Sequence, residues 1–249
     1  MAIPSFGDPG CETAKQNQKL ALEAKASRWR PRSEESRLLP HIASPWPRIT
    51  LWRYGQTPLS FAAEIGHVGV VKILCMNGAD VGAVDGGNHT PLSRAAINGN
   101  EDAIRVLIDA GSDMETRSAY RKKTPLHWAV FKRRVESTRL LLQRGAQVDA
   151  EDTLFGTALC YAAGEGHLDV VKLFLEHGAD TELTSWHEEA PLSLAAELGH
   201  VDVVRLLLAY GANIDAKNRE GETALDLVRV AFTDKGVEFD EVIEVLKSH

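Results

Sequence analysis

The sequence predicts an all-α solenoid of about six stacked helix–turn–helix units joined by hairpin loops, because two short motifs recur along it at one period. The first motif occurs as TPLS at Thr57 and Thr90, TPLH at Thr124, TALC at Thr157, APLS at Ala190 and TALD at Thr223. Its steps are 33, 34, 33, 33 and 33 residues. A second, glycine-containing motif keeps the same phase, beginning at Asn77, Ala110, Arg144, His177 and Tyr210. Self-similarity of this kind is the signature of a repeat architecture.

Each unit contains the signals for two short helices. In the first unit, Thr57 is a suitable N-cap and Pro58 suits the first helical position, where its missing N–H costs nothing. Leu59 begins an apolar face, and Gly66 ends this first helix. The following segment VGVVKILCMNG has apolar residues at helical spacing, and Gly78 is expected to end this second helix as a left-handed C-cap. The polar stretches between units predict hairpin loops.

These motifs resemble the ankyrin repeat family, whose 33-residue period and T-P-L-H-x-A signature match over residues 52–249. The resemblance implies an L-shaped unit of two antiparallel helices and a hairpin, stacked into a curved solenoid. Its concave face would carry the hairpin tips and the first helices. The units are expected near residues 52–84, 85–118, 119–151, 152–184, 185–217 and 218–249.

The sequence also departs from the family pattern at the hairpins. The glycine expected two residues before the threonine position is replaced by Asn88, Lys122, Phe155 and Glu188. Asparagine tolerates a positive φ, whereas phenylalanine and glutamate do so poorly. We therefore expect the hairpins of units four and five to deviate in shape. The 34-residue step also places one extra residue ahead of Thr124.

Residues 1–50 lack the repeat and contain a proline-rich, aperiodic stretch. They predict a poorly ordered N-terminal segment, with helix-forming composition confined to residues 12–26. Residues 51–249 form the predicted repeat domain. The irregular N-terminus leaves open that the chain is the sensor end of a larger signalling protein.

Composition and motifs argue against several classes of function. No apolar run approaches the ~20 residues that span a bilayer, and the N-terminus does not resemble a secretory signal. We therefore expect a cytoplasmic protein, with the nucleus as the second location. The cysteines Cys11, Cys75 and Cys160 lack a zinc-binding spacing. We expect no catalytic residues, no cofactor and no bound metal, and hence a protein that is not an enzyme.

A histidine follows glycine at the same repeat position in three units, as His67, His167 and His200. Neighbouring helices pack ~8–10 Å apart, whereas zinc ligands lie ~2.0–2.3 Å from one ion. Equivalent histidines in successive units therefore cannot share a metal. We expect them to cap helices or to bridge between helix turns.

A basic segment, YRKKTPLHWAVFKRR at residues 120–134, stands out in an acidic array. Residues 51–249 carry 20 basic and 30 acidic side chains, a net charge of −10. By its place in the repeat, the exposed set is expected to comprise Tyr120, Arg121, Lys122, Lys123, Phe131 and Lys132. His127 is assigned a backbone-bonding role, and Trp128 a position facing the core.

These observations predict that the concave face binds another protein, and the basic patch favours an acidic segment of it. Exposed charges alone bind weakly, so apolar anchors must contribute. The candidate contacts from the other hairpins are Arg53, Tyr54, Leu154, Phe155, Trp186 and His187. Nucleic acid is a poor candidate, because the array has the wrong net charge for a phosphate footprint.

One alternative class of function stays open alongside the adaptor. The chain could bind a small molecule, or act as an unconventional metabolic enzyme, in a pocket near Phe131, Phe155, Trp186 and His187. A closed apolar cavity would favour that reading, and a shallow open groove would favour the adaptor.

Overall fold

The computed structural model describes residues 55–235 and 239–249, and for residues 231–235 it describes the backbone only. The predicted N-terminal segment 1–50, and Arg53 and Tyr54, lie outside the described residues. Within them the chain forms six pairs of helices, with an isolated β-bridge between Glu151 and Thr157. The all-α prediction is confirmed. The helices are α1 Pro58–Glu64, α2 Val68–Met76, α3 Pro91–Asn98, α4 Glu101–Asp109, α5 Pro125–Phe131, α6 Val135–Gln143, α7 Ala158–Gly164, α8 Leu168–Glu176, α9 Pro191–Glu197, α10 Val201–Ala209, α11 Ala224–Lys235 and α12 Asp240–Ser248.

The threonine motif starts the first helix of each pair as predicted. The side-chain oxygens of Thr57, Thr90, Thr124 and Thr157 accept from the backbone N–H three residues later. Four of these six first helices also carry proline at an N-terminal position. The fifth unit has Ala190 at the cap position, so α9 begins without a side-chain cap.

The helices stack in two layers around one continuous core. The first helices (α1, α3, α5, α7, α9 and α11) contact each other in sequence, and the second helices form a parallel layer behind them. Paired alanines such as Ala95 and Ala96 are fully buried between first helices. The first helices contact each other more extensively than the second helices do. The first-helix layer is therefore the more closely packed of the two layers.

Polar side chains fix the spacing of neighbouring units at the turn between paired helices. Asn100 donates to the carbonyl of Ala63 at 2.8 Å, and the imidazole of His200 contacts the carbonyl of Gly164 at 2.9 Å. A side chain on Gly166 would collide with His200, because its Cβ would lie 2.5 Å from Nδ1. The bridging role expected for the repeated histidines is confirmed at His200.

The prediction that the hairpin of unit five deviates in shape is wrong. Glu188 takes a φ of 61°, close to the 59° of Asn88, and the turn closes with the same hydrogen bond, from the N–H of Ser185 to the carbonyl of Glu189 at 2.9 Å. The left-handed conformation costs a non-glycine residue about 1–2 kcal/mol. A tight turn bond from the N–H of Glu188 to Ser185 offsets part of that cost.

The hairpins of units three and four depart from this regular form. In unit four the left-handed residue is Gly156, with a φ of 70°, so Phe155 does not adopt that conformation. In unit three the extra residue lengthens the turn, and the N–H of Ser118 bonds the carbonyl of Lys123 at 2.9 Å. Arg121 and Lys122 are both left-handed there, with φ of 59° and 55°.

Candidate partner-binding groove

Lys123 is buried, which contradicts its predicted exposure in the hairpin. Its side chain is 2% exposed, and Nζ lies 2.6 Å from Oδ2 of Asp152. The other carboxylate oxygen of Asp152 accepts from the N–H groups of Leu154 and Phe155 at 2.8 and 2.7 Å. A buried carboxylate needs a counter-charge, and the lengthened hairpin of unit three supplies it from the neighbouring unit.

Four aromatic rings surround the ammonium group of Lys123. Nζ lies 5.0 Å from the ring centroid of Phe131, 5.3 Å from Phe155, 5.8 Å from Tyr161 and 6.0 Å from Trp128. Burial lowers the pKa of Lys123, although the hydrogen bond to Asp152 opposes that shift. The ring faces attract the cation and replace part of its lost hydration. Lys123 thus holds the rings together from beneath and does not face the solvent.

These rings belong to a longer set that we call the aromatic row: His89, Trp128, Phe131, Tyr161 and Phe155. Successive ring centroids lie 5.1 Å apart for His89 and Trp128, 5.9 Å for Trp128 and Phe131, and 5.3 Å for Phe131 and Tyr161. Phe155 lies 5.0 Å from Tyr161. All five side chains are half-buried, so each keeps one accessible part.

Sequence reasoning missed three members of the aromatic row, namely His89, Trp128 and Tyr161. Trp128 was expected to face the core, but it is half-buried on the first-helix layer. Tyr161 was not expected at the site at all. Both lie four residues after the threonine cap, at Thr124 and Thr157. This shared repeat position is the signal that would have identified them together.

The cations beside the aromatic row form a set that we call the basic rim: Arg121, Lys122 and Lys132. The Arg121 guanidinium lies 4.7 Å from the ring centroid of Tyr120, which is 59% exposed, and Lys132 Nζ lies 5.2 Å from that of Phe131. Within the described residues, no ion pair involves the basic rim. Six arginines are paired with carboxylates, namely Arg94, Arg139, Arg144, Arg205, Arg219 and Arg229, whereas Arg105, Arg133 and Arg134 have no ion pair within the described residues.

Hydrogen bonds hold the hairpins side by side. The N–H of Thr153 donates to the carbonyl of Arg121 at 3.0 Å, joining hairpins three and four. The Asn88 side chain donates to the carbonyl of Arg117 at 2.6 Å, joining hairpins two and three. The structure thus brings Tyr120, Arg121, Phe131 and Phe155 into one neighbourhood. The remaining candidates are the half-buried Leu154 and the exposed Lys122, Lys132, Trp186 and His187.

His127 has the structural role expected of it. It is 3% exposed, and its Nδ1 lies 2.8 Å from the hydroxyl of Thr124 in a capping box at the start of α5. Burial lowers the pKa of His127 to about 4. The neutral ring therefore forms the cap at neutral pH.

The thiol of Cys160 is buried and has little reactivity. Burial raises the pKa of the Cys160 thiol to about 11, which keeps it protonated and unreactive. Among the described residues, no cluster of three or more histidine, cysteine, aspartate or glutamate side chains could hold a metal ion. None of the described helices combines the length and hydrophobicity needed to cross a bilayer. An open depression lined by His200, Asp202 and Glu241 lies at the turns between paired helices, away from the hairpins.

Two solved structures with a similar architecture are ankyrin repeat domains. The Bcl-3 ankyrin repeat domain, described as a unique member of the IkappaB protein family, is 31% identical with a TM-score of 0.71, and the match covers 80% of this chain and 86% of that one. The human ASB11 ankyrin repeat domain is 28% identical with a TM-score of 0.70 and covers 92% of this chain and 99% of that one.

A sequence relative and a family model agree with this architecture. A Caenorhabditis elegans homolog of transient receptor potential cation channel subfamily A member 1 is 33% identical over 116 residues, 47% of this chain. The chain spans only 9% of the length of that relative. The model of ankyrin repeats in three copies matches residues 59–152 and 150–218, more than half of the chain. The chain therefore belongs to the ankyrin repeat family.

Proposed function

We propose that this protein is a non-enzymatic adaptor that holds a segment of another protein against its first helices and hairpins, centred on unit three. Ankyrin repeats are generally protein–protein interaction modules, and the fold is typically non-enzymatic. One observation carries the proposal: the basic rim has no carboxylate partner among the described residues and lies directly beside the half-buried aromatic row.

The chemistry of this surface favours an acidic segment with an apolar or aromatic residue. Each exposed charge pair contributes about 0.2–1 kcal/mol and weakens with salt, so the basic rim steers and aligns the ligand. Aromatic residues dominate the energetics of interfaces, so the accessible edges of Trp128, Phe131 and Tyr161 supply most of the affinity. Tyr120 and, two hairpins further, Trp186 extend the contact.

Charge reversal of the basic rim tests the proposal. The variant Arg121→Glu, Lys122→Glu, Lys132→Glu should keep the helical circular dichroism signal, because Glu188 already occupies a left-handed position in this fold. It should capture much less of the partners that the unmodified chain retains from a lysate, as quantified by mass spectrometry.

A matched control reverses three exposed cations outside the hairpins and the first-helix layer: Lys72→Glu, Arg105→Glu, Lys247→Glu. It has the same net charge as the test variant and should capture partners normally. Undiminished capture by the test variant would refute the proposed surface.

A further inference from the structure

The half-buried surface of the first-helix layer, which we call the floor, continues beyond the aromatic row. Four residues after each cap position stands a half-buried side chain, in the order Phe61, Arg94, Trp128, Tyr161, Leu194 and Leu227. From unit three to unit six this line is entirely apolar or aromatic. A segment bound at unit three therefore meets a continuous apolar surface leading toward the C-terminal units.

The charge beside this floor changes sign along the array. Units five and six carry the acidic rim, which comprises Glu189, Glu197, Glu220 and Glu222. The nearby Arg219 pairs with a fifth carboxylate, that of Glu188, at 3.4 Å. Burial raises the pKa of Glu189, and the charges of Glu197 and Glu220 raise it further. The charge of His187 and a hydrogen bond from Ser185 oppose this shift without cancelling it. Within the described residues, no carboxylate of the acidic rim forms an ion pair.

The two rims are electrically separate. Neighbouring helices pack about 8–10 Å apart, so two to three repeat steps place the rims roughly 20–30 Å from each other. The Debye length at physiological ionic strength is about 8 Å. Each rim therefore attracts its own counter-charge on a ligand with little interference from the other.

We infer that the bound segment is charge-segregated: an acidic block lies over the basic rim, a basic block lies over the acidic rim, and an apolar stretch follows the floor between them. This inference rests on the proposed function and specifies its ligand. An extended chain advances about 3.3–3.6 Å per residue, so the two blocks should be separated by about six to nine residues.

Synthetic fluorescent peptides test the inference on the full chain. The probe carries a glutamate block and a lysine block, joined by a neutral spacer of about seven residues that contains leucine and tryptophan. The first comparison peptide keeps the glutamate block and spacer but replaces lysine with glutamine. The second has both blocks joined directly. At low salt the probe should bind about five-fold more tightly than either comparison peptide in fluorescence anisotropy.

Two variants assign that difference to the acidic rim. Glu197→Lys, Glu220→Lys should reduce probe binding to the level of the glutamate-only peptide. The control Glu136→Lys, Glu244→Lys, which carries the same charge change on the second-helix layer, should leave the five-fold preference unchanged.

The outcomes separate the inference from the proposed function. If the unmodified chain binds the probe no better than the glutamate-only peptide, or binds neither, the inference is overturned. It is also overturned if the Glu197, Glu220 variant keeps the preference. The proposed function fails separately, if reversing Arg121, Lys122 and Lys132 leaves binding of the glutamate-only peptide undiminished.

Discussion

At the scale of single residues, the buried pair of Lys123 and Asp152 organises the candidate site. The pair places opposite charges 2.6 Å apart beneath four aromatic rings. Taking both charges out of water costs several kcal/mol, which the attraction, the backbone bonds to Asp152 and the ring faces offset. The pair therefore adds little net stability, but the loss of either partner alone is costly.

Replacing one partner measures that cost. Lys123→Met should lower the free energy of unfolding by about 3 kcal/mol, because Asp152 is left buried and unpaired. Lys123→Met, Asp152→Asn should lose less, since an asparagine oxygen can still accept from the N–H groups of Leu154 and Phe155. Urea denaturation followed by circular dichroism gives both values. A loss of less than about 1 kcal/mol for the single variant would contradict the arrangement, and the exposed Lys132→Met serves as control.

His127 gives the fold a pH dependence of defined sign. Its folded pKa of about 4 lies below the ordinary 6.5, so the unfolded chain binds the proton more readily. The contribution of neutral His127 to the free energy of unfolding is fully present above pH 6.5. It is lost as the pH drops toward 4, by about 3 kcal/mol in total. Denaturation midpoints measured across this range should show the decline.

A serine substitution isolates the contribution of His127. His127→Ser should flatten the decline, because serine occupies this repeat position at Ser60, Ser93 and Ser193 without a titrating ring. The pKa of Asp152 is lowered from its ordinary value by bonds from Lys123 and the backbone despite its burial, so its own contribution is lost mainly below pH 4. Burial also lowers the pKa values of His89 and His167, so their part of the decline should remain in the serine variant. An unchanged pH profile in the serine variant would remove His127 as the cause.

At the scale of elements, caps and turns set the shape of each unit. Threonine caps begin α1, α3, α5 and α7, whereas Ala190 leaves α9 uncapped. The geometry around α9 is otherwise alike, since Ala190 has a φ of −70° and Thr90 one of −75°. One missing hydroxyl therefore distinguishes the fifth unit.

Restoring the cap should stabilise the array. Ala190→Thr is expected to raise the free energy of unfolding by about 1 kcal/mol, because the new hydroxyl can accept from the N–H of Ser193. Ala190→Val has nearly the same shape without the hydroxyl and controls for added bulk. Equal effects of threonine and valine in urea denaturation would show that capping is not responsible.

The helices could be predicted from sequence because their signals are local and repeat six times. Caps, prolines and apolar spacing each depend on residues within one unit. The burial of Lys123 could not be predicted from sequence, because it depends on Asp152 of the next unit and on the direction of a lengthened hairpin. Glu188 likewise takes a conformation that its residue type disfavours, since the turn bond and the neighbouring units determine it.

At the scale of the whole molecule, stacking converts a one-dimensional repeat into an ordered surface. Each unit contacts its neighbours through the alanine-rich first helices, so position in the sequence becomes position along the groove. The aromatic row spans the first-helix layer from His89 to Tyr161, and the basic rim lies beside it. The order of the units therefore determines which part of the proposed ligand each unit contacts.

Site-specific photo-crosslinking tests the central claim that partners lie along this groove at unit three. Benzoylphenylalanine replaces Tyr120, which is 59% exposed in the hairpin, or Met76, which is 87% exposed on the second helix of unit one. We expect partner adducts from position 120 that disappear when Lys122 and Lys132 are reversed to glutamate, and none from position 76. The same adducts from both positions, or adducts from position 120 that survive the reversal, would contradict the account.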